Sequence, residues 1–151
     1  GDDRLAIRAA DGRGMCLGLM PKVRLPVPDD AGPRFEEFVA AYTELEGDGV
    51  AYLKPLASEA ARFGDDAPLA AVILLDRSPE ADVTLRSAAP SEIVRALVEN
   101  VHAPHIGSQD LVVRLATLAG RVPGYHLRFS SSRLAAERLT ALLTGRAPAD
   151  D

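Results

Sequence analysis

Six consecutive apolar residues, Ala70-Ala71-Val72-Ile73-Leu74-Leu75, lie between Pro68 and the pair Asp76-Arg77. The run is too short for a helix of its own and ends in branched side chains, which predicts a strand. It offers no polar side to water, so the strand is expected to be covered on both faces. Covering both faces of a strand takes packed layers, and the rest of the chain has to supply them.

The remaining patterns do so in alternation. Arg4-Leu5-Ala6-Ile7-Arg8 alternates in polarity like a half-buried strand, Asp11-Gly12 is a hairpin-type turn signal, and residues 15–20 predict a returning strand. Leu25-Pro26-Val27-Pro28 interrupts regular structure, because each proline removes a donor and restricts the residue before it. After Gly32-Pro33, residues Phe35, Phe38, Val39, Tyr42 and Leu45 recur at helical spacing with Glu36, Glu37 and Glu44 between them. This predicts an amphipathic helix ended by Gly47-Asp48-Gly49. Val50 to Leu53 predicts a short strand, and Val83 with Leu85 another. Pro90-Ser91-Glu92 opens a helix to about residue 101, with Ile93, Ala96, Leu97 and Val101 on one face. Ser108 is placed to cap a helix bearing Leu111, Val112, Leu115 and Leu118. Tyr125, Leu127 and Phe129 alternate with Gly124, His126 and Arg128, a strand pattern, and Ser130 to Ser132 offer caps for a last helix. Strands and helices mix throughout, predicting one α/β (α+β mixed) domain over residues 1–145 and a disordered tail over 146–151.

Composition narrows the class. The chain has 151 residues, 47% of them hydrophobic and 26% charged, an ordinary globular balance. A chain of this length buries roughly two-thirds of its unfolded surface, so a core forms without disulfides or structural metal. The net charge is −5, aromatic residues are 5%, tryptophan is absent and no basic stripe is present, a composition that argues against nucleic-acid binding. The one cysteine, Cys16, sits in an apolar run and permits no internal disulfide. No apolar stretch approaches 18 residues and no signal peptide opens the sequence, which predicts a cytoplasmic location without membrane contact.

Few residues carry chemistry. Asp2 and Asp3 are adjacent carboxylates ahead of a strand-like run, a pattern that can hold a divalent cation and accept a proton from a hydroxyl. At a terminus such a pair is also an ordinary solvated surface. The phosphate-cradling G-x-x-x-x-G-K-[ST] is absent. The glycines of Gly12-Arg13-Gly14 and Gly18 fall between predicted strands rather than before a helix. His102 and His105 straddle Pro104, so no helical face joins them, and His126 lies on the strand face opposite Tyr125 and Leu127. Arg77, after the apolar strand, is a candidate phosphate or carboxylate clamp, since ligands of open α/β sheets favour the carboxyl ends of strands. It reads more readily as half of a surface ion pair. Lys54, following its own strand, is a weaker case of the same kind.

Asp2-Asp3-Arg4 followed by a strand resembles the Asp-Asp box of the HPr serine kinase family. Four further stretches extend the resemblance over residues 2–143 to the C-terminal portion of bacterial HPr-kinase-like proteins. They are Tyr52-Leu53-Lys54-Pro55, Phe63-Gly64-Asp65-Asp66-Ala67-Pro68-Leu69, Val72 to Leu75 with Asp76-Arg77, and Val122-Pro123-Gly124-Tyr125-His126-Leu127-Arg128-Phe129. The resemblance implies a phosphoenolpyruvate-carboxykinase-like α/β sheet with packed helices, incomplete at its N-terminal side. It implies ATP-dependent phosphorylation of a serine on a protein or peptide, with Asp2 and Asp3 sharing magnesium and general-base duties. In that family a phosphate-binding loop comes first; ATP and magnesium are therefore expected only with such a loop upstream, and the isolated chain is expected to be inactive. The family's E-x-R-G-x-G box is reduced to Gly12-Arg13-Gly14 without the acid, which leaves the phosphate acceptor open. The alternative is a non-catalytic module of that fold for protein or peptide binding or homo-oligomerisation. A third is a small-molecule enzyme using Arg77 and Lys54.

Overall fold

Asp48 and Gly49 both adopt positive φ, 53° and 71°, and they join Gly47 to Val50 as a two-residue hairpin loop. Two left-handed residues in succession match the right-handed twist of the flanking strands. The turn thus forces strands on both of its sides. In this computed structural model, which describes residues 4–145, the helix α1 (Pro33–Tyr42) stops at Tyr42, and Thr43–Gly47 is a strand, β4. The expected helix through Leu45 is therefore too long: Gly47-Asp48-Gly49 is a hairpin turn and not a helix stop. Leu45 stands 63% exposed on β4, and Thr43 closes α1 by donating its hydroxyl to the Val39 carbonyl at 2.6 Å.

The backbone divides into two units, Gly1–Pro68 and Leu69–Asp151. In the first, β3 (Lys22–Arg24) and β4 flank β5 (Val50–Leu53), all antiparallel. Val39 of α1 packs with Ala51 and Leu53 of β5, and Val23, Leu25, Val27 and Tyr42 close around them. The second sheet of this unit is minimal. β1 (Ala6–Ile7), β2 (Gly14–Met15) and β6 (Asp66–Ala67) pair antiparallel in the order β1-β2-β6. The returning strand expected over 15–20 ends at Met15, because Gly18 turns away at φ 64°.

In the second unit β7 (Val72–Arg77) runs parallel to β9 (Gly124–Phe129), and β8 (Thr84–Ser87) lies antiparallel on β9's other side. Helices α2 (Pro90–Asn100) and α3 (Ser108–Ala119) pack against each other, and α4 (Ser132–Leu143) packs on β9. Leu127 is fully buried and Ile93 is 1% exposed, on opposite faces of this sheet, and Leu115, Leu118, Val122 and Ala135 are buried as well. Two expectations are corrected. β7 is a marginal strand with Leu75 67% exposed, so it is not covered on both faces; a continuous apolar run reads the same at the centre of a sheet and at its margin. Gly107 rather than Ser108 is the N-cap of α3. Ser131 caps α4 as the serine run predicts, accepting the Leu134 N–H at 3.4 Å. The architecture is mixed α/β. No helix among the described residues is long and apolar enough to cross a membrane.

Candidate functional site

The Ala88 N–H donates to the Gly124 carbonyl, at 2.9 Å, which fixes the side of β9 that each backbone group faces. Residues Gly124, His126 and Arg128 direct their backbones to β8, and their side chains share one face of the sheet. His126 is in register with Arg86 on one side and Leu74 on the other. The first turn of α2 lies over this face, with Ile93 above Gly124.

This packing brings Glu92 onto His126. Glu92 is the third residue of α2; its Oε2 accepts the Ala89 N–H at 2.8 Å, capping the helix from within. Its Oε1 lies 3.0 Å from His126 Nε2 and 3.9 Å from an Arg86 guanidinium nitrogen. The Ala89 N–H, and after it His126, hold the Glu92 carboxyl below the usual range. An ionised carboxylate only accepts, so in the neutral ring Nε2 carries the proton and Nδ1 the lone pair. Nδ1 has no hydrogen-bond partner among the described residues. The result is a half-buried imidazole oriented by a carboxylate, an arrangement suited to accepting a proton or meeting a ligand at Nδ1. Further along the same face Arg128 pairs with Asp76 at 3.5 Å. Glu92 was legible only as a helix start, and no sequence pattern joins it to His126, 34 residues away.

The sequence-derived candidates stand apart from this group. Asp2 and Asp3 lie outside the described residues. Arg77 ends β7 on the opposite face from His126 and is exposed. Lys54 follows β5 in the other unit and pairs with Glu44 at 2.8 Å, both side chains more than half exposed. His102 and His105 are in the loop between α2 and α3. Among the described residues no cluster of three or more His, Cys, Asp or Glu has the arrangement to hold a metal.

Immediately after Asp2-Asp3, the small sheet is laced by charge. Arg8 grips Asp11 with two nitrogens, at 3.0 and 2.6 Å, and reaches Asp66 at 2.7 Å. Arg13 donates through Nε to the Asp66 carboxylate and through Nη2 to the Asp66 carbonyl at 3.3 Å. Arg13, the centre of Gly12-Arg13-Gly14, thus ties β2 to β6. Strands of two residues bury little, and this bidentate network replaces the missing apolar contacts. The guanidinium of Arg8, and the Arg13 N–H after it, push the Asp11 carboxyl down to about 2. The Arg13 guanidinium, followed by that of Arg8, also lowers Asp66.

Acid should therefore loosen both clusters. Each carboxylate has a folded pKa below its ordinary value, so its contribution is complete above that value and is lost as pH falls through the folded one. For Asp11 the window runs from 3.8 down to about 2. Glu92→Gln is expected to lower the melting temperature near neutral pH, and the gap to the parent should begin to close as pH drops below 4.5 and vanish below the lowered folded pKa, where the folded parent also protonates. Melting curves across that range check this; a gap that stays the same at low pH would show that ionisation of Glu92 is not what stabilises the fold.

The chain matches no known family model, no curated protein and no solved structure.

Proposed function

We propose that this chain is a portion of an ATP-dependent, HPr-serine-kinase-like phosphotransferase acting on a protein or peptide, inactive when isolated. The observation that carries the reading is the acidic pair Asp2-Asp3, two residues before β1 in sequence, followed in order by the four stretches that resemble the C-terminal portion of that family. The charge network of Arg8, Asp11, Arg13 and Asp66 supports it, because it stiffens the strands that follow the pair. Phosphoryl transfer is mostly positioning and charge neutralisation. In this reading Asp2 and Asp3 provide a magnesium ligand and a base for the acceptor hydroxyl. A loop upstream of Gly1 provides the backbone donors and lysine for the phosphates. The corresponding fold is the phosphoenolpyruvate-carboxykinase-like sheet, and the corresponding compartment is the cytoplasm, where ATP and magnesium are available.

Two preparations test the reading. The isolated chain with magnesium-ATP should transfer no phosphate, since it lacks the donors that stabilise the transferred group. The protein extended by its upstream coding sequence should phosphorylate serine in an ATP- and magnesium-dependent manner. Turnover by the isolated chain, or an upstream sequence without G-x-x-x-x-G-K-[ST], would overturn the proposal.

A further inference from the structure

Among the described residues of the second unit, one strand margin lacks the devices by which sheets ordinarily protect their edges. β9 is flanked on both sides, so β7 and β8 form the margins. β8 is four residues long and polar, with the Arg86 side chain 64% exposed. Short length and charge are the devices that discourage stray pairing. β7 is six residues long and keeps unbroken register with β9; its charges, Asp76 and Arg77, sit at its C-terminal end, and Val72 to Leu75 carry neither charge nor proline. Its backbone parity is fixed by the Val72 and Ser78 N–H groups, which donate to the Pro123 and Phe129 carbonyls at 2.9 Å. Even-numbered residues of β7 therefore face β9, and Ile73 and Leu75 direct N–H and C=O outward. Beside them the Leu75 side chain is 67% exposed.

We propose that two copies of this chain pair antiparallel through β7, with the two-fold axis at Leu75. Outward-facing residues have to oppose outward-facing residues, so a symmetric pairing is centred on Leu74, Leu75 or Asp76. Centring on Asp76 sets two carboxylates directly opposite, which is destabilising. Centring on Leu74 leaves Leu75 against the less exposed Ile73. Centring on Leu75 packs the most exposed apolar side chain of the strand against its own mate. Asp76 then lies opposite Leu74, and Arg77 opposite Ile73, so no like charges meet. Two three-stranded sheets become one continuous sheet. The inference does not depend on the kinase reading, since it uses only the margin of β7.

Sedimentation of the chain from about 1 µM to about 1 mM tests the pairing, because self-association follows mass action. A monomer–dimer equilibrium is expected. Leu75→Lys should weaken it at least tenfold, while Thr84→Lys on β8 leaves it unchanged; circular dichroism confirms that both variants fold. Amide exchange at Ile73 and Leu75 should slow as concentration rises. A monomer at every concentration, or a dimer that survives Leu75→Lys with these amides unprotected, would overturn the proposal. So would protection that arises only when an extended apolar peptide is added to a monomeric chain, because the margin would then take a foreign strand.

Discussion

Gly124→Val is expected to destabilise the second unit by about 3 kcal/mol or more, at or above the upper end of ordinary overpacking costs. A Cβ at this position would stand 1.9 Å from Ile93 Cδ1 and 2.6 Å from its Cγ1. Ile93 is 1% exposed, so its side chain cannot simply swing out into water. The conflict is one of space and not of backbone conformation, because Gly124 has no positive φ. Relief requires α2 to lift from the sheet, and that movement withdraws Glu92 from His126. Urea unfolding should show the lower midpoint, and the imidazole resonances of His126 should shift as its carboxylate partner leaves. Ile93→Ala in the Gly124→Val background should recover part of the loss, since the two sites share one contact and their effects are coupled. A Gly124→Val protein as stable as its parent would rule out the close packing of α2 on β9.

The largest expected effect on activity falls on the acidic pair. Under the kinase proposal, in a protein extended by its upstream coding sequence, Asp2→Asn and Asp3→Asn should each lower phosphate transfer by about 10²–10⁴-fold, the range for losing a positioned proton acceptor. The amide has the same shape but neither takes the proton nor offers an anionic oxygen to magnesium. The two roles separate by their signatures. The residue that holds the metal should be partly rescued by more magnesium. The residue that acts as base should instead lose the acidic limb of the pH–rate profile. Retention of full activity by both variants would remove the chemical basis of the kinase proposal.

Elements whose own periodicity suffices were legible. Val50–Leu53, the helix opened by Pro90-Ser91-Glu92 and the alternation through Tyr125, Leu127 and Phe129 all stand where their patterns predict. Where one pattern serves two structures, reading failed. Leu45 continues the helical spacing of Phe38 and Tyr42, but the Asp48-Gly49 turn converts its segment to a strand. Asp66–Ala67 has no strand pattern at all, because β6 is held by Arg8 and Arg13 and not by apolar burial. The Glu92–His126 pair depends on the register of β9 and the angle of α2, neither of which is local information. The margin position of β7 follows from strand order, which a hydrophobic run does not encode.

The parallel pairing of β7 with β9 has a further consequence in time. Their partnership closes only after residues 78–123, which hold β8, α2 and α3, have been made. Early strands of such a ladder wait unpaired, and the entropy of that long closure slows assembly. During synthesis Val72-Ile73-Leu74-Leu75 would emerge from the ribosome well before Gly124, so the newborn chain exposes its stickiest segment while its central partner is still untranslated. A polypeptide cut short before residue 124 would be left with that segment permanently uncovered.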